Sequence, residues 1–567
     1  MMDYDGAGTV ARLRTCRRWV ITASAVGLAC VTGSPSAGIA IIKGPYLQKV
    51  AQTSIVVMWE TDVAATGTVE YGPTAGYGWS ATDSRSVTIH EVQVTGLTPD
   101  SLYHYRAVSG DASSSDATFQ TAPPPGVPFR FAAYGDSQTY ASEHQRVINR
   151  MVATAPRLVI HVGDMVTDGN AYSQWGPQFF APAAPLIRNT PMALALGNHE
   201  HSSHWYYDFF SNPMDSGTEA WYEFRYGDAR FVCLDTNQTH TSGSAQYNWL
   251  HSTLAEPTDA IWTFVYFHHP PYTSGSHSPH TTVQVHLVPL FEQYGVDIVF
   301  NGHCHDYERS LKDGVTYIVT GGGGGLLGPV RIRPNPYQVY ARSIHHHCVI
   351  DIDGGRLTCR GVRADNGDEF DEFTLTRTTA TTSPTLSSGW HLISLPFEPE
   401  DPDPAVVFAG ISINQALFRY DTTNKGYVGY LAGDPGGLFG PVASGVGYWL
   451  DVTEPHAISY QGIQTATTQT IPLAPDGWTL IGHPFLSAVP LSAVEVHHPG
   501  LGETKGLLAA KQAGWIELPW YYYDSTARGY QLCGLESWHG DDWLRPWQGY
   551  WVAAGPDTVQ LRVPAPE

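Results

Sequence analysis

The chain has 567 residues, 42% apolar and 15% charged, with Gly 57, Pro 40, Trp 17, Tyr 31 and a formal charge of −22. At about 100–200 residues per domain that length predicts about three to five domains. The turn-rich, aromatic composition reads as β structure and excludes coiled coils and disorder. The acidity argues against nucleic-acid or anionic-membrane binding, so an anionic ligand would need a local positive centre such as a metal. The 25 histidines are the composition figure that points to chemistry.

At the N-terminus, Arg12, Arg14, Arg17 and Arg18 precede an apolar run from Trp19 to Val31, and Gly38-Ile39-Ala40 offers a cleavage site. This is the layout of a secretory signal peptide over residues 1–40, predicting a secreted, periplasmic or cell-surface protein. An uncleaved anchor and a lipid-modified Cys30 are the alternatives. Processing would remove four Arg and two Asp, leaving about −24. Export implies an oxidising compartment. The remaining Cys233, Cys304, Cys348, Cys359 and Cys533 are odd in number and suggest no disulfide framework. An Asp353-Gly354 turn would set Cys348 opposite Cys359 on a hairpin, as a disulfide or as two buried thiols.

Residues 41–123 carry short alternating runs (Thr53–Glu60, Gly67–Tyr71, Val87–Val94, Tyr103–Val108) between turn residues, predicting a β-sandwich of immunoglobulin-like size. Ala122-Pro123-Pro124-Pro125-Gly126 reads as a stiff linker. Residues 124–376 read as an α/β domain. Its apolar strands Phe129–Ala133, Leu158–Val162, Met192–Leu196, Ile261–Phe267 and Val296–Phe300 each run into polar residues, and Ser142–Ala153 and Val283–Tyr294 read as helices.

From residue 377 the texture is β again, and it repeats. Gly389-Trp390-His391-Leu392-Ile393 recurs as Gly477-Trp478-Thr479-Leu480-Ile481, Tyr420-Asp421 as Tyr523-Asp524, and Gly447-Tyr448-Trp449 as Gly549-Tyr550-Trp551. Two β modules, 377–470 and 471–567, account for this, the second with an insertion. Aromatic runs such as Trp520-Tyr521-Tyr522-Tyr523 either pack a β core or stack on sugars, which leaves a cell-surface or glycan contact open.

In the middle domain the residues after five strands include Asp136, Asp164, Asn198, His268, His303 and His305. Each is a hard or borderline metal ligand, and strand ends on one sheet edge can share a site. Six donors are too many for one tetrahedral ion and suit two metals with a bridging carboxylate.

The ordered series Gly135-Asp136, Gly163-Asp164, Gly197-Asn198-His199-Glu200, Val265-Tyr266-Phe267-His268 and Gly302-His303-Cys304-His305 resembles the calcineurin-like metallophosphoesterase superfamily. Pro270-Pro271-Tyr272, Tyr307-Glu308-Arg309 and the opening Lys43-Gly44-Pro45-Tyr46-Leu47-Gln48 are similar to its purple acid phosphatase branch. The resemblance covers about residues 41–376. It implies a fibronectin type III-like β-sandwich before a four-layer α/β/β/α catalytic domain with a dinuclear centre. One metal would be held by Asp136, Asp164 and His305, and the other by Asp164, Asn198, His268 and His303. His199 would contact the phosphate, and His277 would be proton donor or substrate contact, with His280 its competitor.

Two departures stand out. Thr167 occupies the position where purple enzymes carry the iron-binding tyrosine, so no purple colour is expected; Gln138 stands where other branches carry a His. Gln138 could lend an amide oxygen; Fe, Mn and Zn all remain open. His269, next to a ligand, is expected to point away on the next face, with a weak metal or substrate contact from it, from Gln138 or from Thr167 as the alternative. His345-His346-His347 reads as structural, His201 and His204 as cleft lining, and Gly321–Gly325 as a run that lets backbone pass close to the metal loops.

The implied activity is hydrolysis of phosphate monoesters by a metal-activated hydroxide. The alternatives are a phosphodiesterase or nucleotidase on the same core, or a surface-binding protein with a degenerate phosphatase core. Oligomeric state is open.

Overall fold

The computed structural model describes residues 38–432, 437–464, 468–535 and 541–566. The basic and apolar segment expected as a signal peptide lies outside them up to residue 37.

The N-terminal strands Ile41–Gln48, Ser54–Gly72, Trp79–Thr95, Leu102–Ser109, Ala112–Ser113 and Ala117–Gln120 hydrogen-bond into one sheet. Ser54–Gly72 joins two of the expected short runs into one strand, because the ladder to Trp79–Thr95 continues across register shifts between Glu60 and Gly67. Such shifts bend a strand without ending it. Alternation along Leu102–Ser109 turns Tyr103, Tyr105 and Ala107 inward beneath Trp59. The Trp59 ring stacks on His90 at 4.6 Å, and its Nε1–H donates to Ser109 Oγ at 2.9 Å.

This domain is docked, not tethered. Tyr46, Val56 and Met58 share an apolar cluster with Trp175, Phe209 and Phe210 of the next domain. Tyr46 Oη donates to the Phe209 carbonyl at 2.6 Å, and Gln48 Nε2 to that of Met192 at 3.0 Å. Buried Lys43 pairs with Glu60 and donates to Tyr172 Oη at 2.8 Å.

The middle domain is built on two mixed sheets. One places Phe129–Tyr134, Leu158–His161 and Met192–Leu194 in parallel, with His346–Asp353, Arg356–Arg363 and Glu369–Thr376 antiparallel beside them. The other places Ala229–Cys233, Trp262–Tyr266, Ile298–Asn301 and Val315–Thr320 in parallel. Phe131, Ile160 and Ile350 of the first sheet share a cluster with Phe231, Phe264 and Phe300 of the second. The other face of the first sheet packs on helix Ala141–Thr154 through Val147, Ile148 and Met151. That of the second packs on Leu250, Val283 and Phe291. Nearly continuous apolar strands follow from burial on both faces. The expected helix Val283–Tyr294 is two short helices, Thr281–His286 and Val288–Gln293, divided where Pro289 lacks a backbone N–H.

The hairpin turn after His346–Asp353 is Gly354-Gly355, since Asp353 pairs with Arg356. Cys348 therefore faces Gly361, and Cys359 faces Ile350, two residues off the expected register. Both thiols are free and buried.

The C-terminal repeat is visible in the ladders. Gly389–Ser394, Gly447–Val452, Leu417–Asp421 and Gly426–Gly429 form a sheet in that order; Gly477–Gly482, Gly549–Ala554, Trp520–Asp524 and Gly529–Cys533 form its counterpart.

Candidate metal centre and active site

Five loops at the C-terminal ends of parallel strands, drawn from both sheets, meet at one edge. Each leaves its strand abruptly. Asp136, Asp164 and His303, each preceded by a glycine, have φ of +56°, +58° and +68°. Left-handed backbone costs a non-glycine residue about 1–2 kcal/mol, so the surrounding structure must enforce it. The enforcement is visible in hydrogen bonds. His303 N–H donates to both Asp136 carboxylate oxygens at 2.9 and 3.0 Å, and His199 N–H to Asp164 Oδ1 at 2.9 Å. A Cβ on Gly197 would collide with the Asp164 carboxylate, and one on Gly321 with the Cys304 carbonyl. The glycine run after Val315–Thr320 thus does let backbone pass against the site loops.

His268 is oriented from behind: its Nδ1–H donates to the Val162 carbonyl at 2.9 Å, leaving the Nε2 lone pair in front. Nε2 lies 3.1 Å from Asp164 Oδ2 and 3.0 Å from Asn198 Oδ1. His305 repeats the device, with Nδ1 on the Leu326 carbonyl at 2.8 Å and Nε2 3.5 Å from Asp136 Oδ1. A backbone carbonyl behind the imidazole is the usual support of a metal-ligating histidine. Asp136, Asp164 and His268 bring ligand atoms within 4.8 Å of one another, all buried.

This donor set asks for positive charge. Burial pushes the Asp136 carboxyl well above its usual range, and the Asp164 charge adds to that against the pull of His268. Burial would raise Asp164 as well, but the charge and hydrogen bond of His268, with His199 behind, hold it well below. His268 is the converse: burial opposes its proton, and Asp164 more than restores it. Two buried carboxylates beside one imidazole nitrogen are an arrangement that a bound cation would stabilise. Gln138 Oε1 is buried with no hydrogen-bond partner while its amide donates to Asp164 Oδ2 at 3.4 Å. An orphaned buried acceptor facing this cluster fits a metal-binding reading.

The remaining residues sit at the mouth. His199 Nδ1 is 2.6 Å from the Thr167 carbonyl, and its Nε2 is 4.0 Å from Asp164 Oδ2. Thr167 Oγ1 bonds Gln178 at 3.0 Å, so this residue serves His199 through its backbone. His277 is exposed and lies over His303, ring centroids 4.0 Å apart. His280 is spent as a helix cap, its Nδ1 accepting from Val283 N–H. His269 is not turned away. The strand ends at Tyr266, so alternation has ceased, and one His269 ring nitrogen lies within 4.8 Å of a ring nitrogen from each of His268 and His303.

The other histidines noted in the sequence have partners of their own. His346 and His347 are fully buried, His346 Nε2 lying 3.1 Å from Thr320 Oγ1, and His204 Nδ1 meets Asp208 at 2.8 Å. His201 Nε2 lies 3.7 Å from Asp168.

Sequence reasoning passed over Glu200. Fully buried, it accepts from the N–H groups of Gly197, Met165 and Asp164 at 2.7, 2.7 and 2.9 Å, tying two site loops together. Burial first, then the Asp164 charge, raise its carboxyl to about 7 against those three donors. Its place directly after Asn198 and His199 was the only available signal.

Residues 129–307 match the family model described as Calcineurin-like phosphoesterase, so the middle domain carries a metallophosphoesterase domain of that class. Residues 44–121 match Purple acid Phosphatase, N-terminal domain, which places the resemblance of this two-domain unit with the purple acid phosphatases. Purple acid phosphatase 15 of Arabidopsis thaliana is 29% identical over 42% of this chain and 53% of its own length. Purple acid phosphatase 23 of the same plant is 30% identical over 42% of this chain and 63% of its own. The chain spans 53% to 63% of the first three curated relatives it matches. The solved purple acid phosphatase PPD1 from yellow lupin seeds superposes with a TM-score of 0.52 at 20% identity, over 59% of this chain and 74% of that one; the likeness is one of fold.

Proposed function

We propose that this chain is a secreted phosphatase of the purple acid phosphatase type that hydrolyses phosphate monoesters at a dinuclear metal centre. The observation that carries the reading is the convergence of Asp164 Oδ2 and Asn198 Oδ1 on His268 Nε2, at 3.1 and 3.0 Å, beside Asp136 and His305. In this reading a four-layer α/β/β/α catalytic domain follows a fibronectin type III-like sandwich, with residues 1–40 as signal peptide.

Asp136, Asp164 and His305 would hold one metal, and Asp164, Asn198, His268 and His303 the other, Gln138 Oε1 lending a weak contact. Two bound cations supply an ionised water near neutral pH and neutralise phosphoryl oxygens. The chain's own residues do the rest. Val162 and Leu326 carbonyls fix the His268 and His305 tautomers, and Glu200 holds the loops of Asp164 and Asn198 in register. His199, anchored on the Thr167 carbonyl through Nδ1, presents Nε2 to an equatorial phosphoryl oxygen, where it stabilises charge that grows in the transition state. His277, at the mouth, gives a proton to the leaving alkoxide.

The test is turnover of p-nitrophenyl phosphate and of bis(p-nitrophenyl) phosphate after loading with Fe, Mn or Zn, with elemental analysis and a visible spectrum. Two metals, monoester preference and no purple band are expected. No turnover with any metal, together with no bound metal, overturns the reading; diester preference moves it to a phosphodiesterase.

A further inference from the structure

The C-terminal repeats present one aromatic constellation twice. In the first repeat, strand register puts Trp390, Trp449, Phe418 and Tyr427 on the sheet face opposite the core residues Ile393 and Leu450. In the second, Trp478, Trp551, Tyr521 and Tyr530 hold the equivalent places. The geometry is duplicated along with the residues. Trp390 and Trp449 lie 6.1 Å apart at 76°, and Trp478 and Trp551 lie 6.5 Å apart at 85°. Trp390–Phe418 and Trp478–Tyr521 measure 5.8 and 5.7 Å.

Each constellation is closed by a ring from the other repeat. Tyr523 packs on Trp449 and Tyr420 on Trp551, both at 4.9 Å. The results are two clefts of about 370 and 420 Å³, each lined by five aromatic side chains. Among the described residues no charged or amide side chain lines either one.

Welding the repeats together does not account for these rings. Trp390 and Trp478 are each 43% exposed, and Tyr427 and Tyr530 are 53% and 52% exposed. Exposed tryptophan at equivalent places in both copies leaves apolar surface in water that core packing would have buried. Nor is the sheet face simply unchanged between copies. On that face Asp451, which pairs with Trp390, is matched by Ala553, which pairs with Trp478. The two copies differ in charge at this position while all five ring positions are rings in both.

We propose that the two clefts bind successive sugar units of a neutral polysaccharide, with pyranose faces laid on Trp390 and Trp478. Clefts lined by no charged side chain offer a charged ligand no counter-ion, and a chain of net charge −22 repels polyanions. Two copies of one cleft in one module suit a ligand that offers the same uncharged ring repeatedly. Aromatic faces supply stacking with little loss of side-chain freedom, and indole N–H and phenol O–H groups at their edges suit a ligand with apolar faces and hydroxyl rims. Two linked sites gain avidity only on a polymer. The inference is independent of the phosphatase reading.

The test uses the full-length protein in affinity electrophoresis and sedimentation with soluble and insoluble glucans, xylan and mannan. Retention on at least one neutral polymer is expected. Trp390→Ala or Trp478→Ala should each weaken binding at least tenfold, and the double variant at least a hundredfold, with p-nitrophenyl phosphate turnover and the melting profile unchanged. Trp390→Phe, which keeps a ring, should retain partial binding and guards against a folding defect. Retention on none of the neutral polymers overturns the proposal. So does binding that the double variant leaves intact, or tighter binding to an anionic polysaccharide, a proline-rich peptide or choline.

Discussion

Acid should destabilise this protein through histidines far from the chemistry, and His347 is the place to measure it. Its side chain is fully buried in strand His346–Asp353; Nδ1 has no hydrogen-bond partner, and Nε2 has only a 3.4 Å contact to Thr154 Oγ1. Burial, with His346 and Arg150 adding repulsion, pushes its pKa down to about 3. The unfolded chain takes up a proton near pH 6.5 and the folded one does not. Stability from this group is therefore complete above pH 6.5 and is lost as pH falls toward 3. Between pH 7 and pH 5 the loss is about 2 kcal/mol. His144, His346 and His483, each buried with a pKa lowered to about 4, lose similar amounts over the same window. In a domain of about 250 residues, 2 kcal/mol is about 4–8 °C in Tm. Thermal melts at pH 7 and pH 5 should show a large drop for the native chain, and a drop smaller by that amount for His347→Gln. Equal drops in the two proteins would refute the reasoning, because the proton uptake would then belong elsewhere.

Three further outcomes follow from the site. Asp164→Asn removes the charge nearest to both His268 and His199 and should abolish tight binding of two metals, with turnover down at least about a thousandfold; full metal content would contradict it. Gly197→Ala drives a methyl into the Asp164 carboxylate and backbone, so metal affinity should fall together with about 1–3 kcal/mol of stability by calorimetry. His277→Ala and His199→Ala should each cost about 10²–10⁴ in kcat with metals retained, and only His277→Ala should recover on substrates with a good leaving group.

The site was legible because its chemistry is carried at strand ends. Glycine followed by Asp, or by Asn-His, after an apolar run marks a sharp exit that aims a side chain across the sheet edge; Asp136, Asp164 and Asn198 leave their strands this way, His303 and His305 follow Gly302, and His268 follows Phe267 with no glycine. What was illegible depends on partners distant in sequence. Glu200 gained meaning only when the amides of Asp164 and Met165 came within reach. His269 was expected to alternate away from His268, but alternation holds only while a strand continues. The Cys348–Cys359 register moved by two residues because either Asp353-Gly354 or Gly354-Gly355 can form the turn, and pairing with Phe129–Tyr134 and Glu369–Thr376 accompanies the second choice. The C-terminal repeat was readable as a repeat, since Trp, Gly and Tyr recur in order. The clefts at its seam were not, because each needs one ring from the other copy.

That seam has a further consequence. Ile393 bridges to Gln548, and Val446 bridges to Ile481; with Ile393 equivalent to Ile481 and Val446 to Gln548, the two bridges are one contact made twice. Ser394 N–H to the Trp547 carbonyl and Gly482 N–H to that of Gly445 form a second such pair. Contacts in which i meets j and j meets i are the signature of a two-fold homodimer. The tandem has the geometry of a dimer whose subunits were fused into one chain, so a single copy carries a surface complementary to itself.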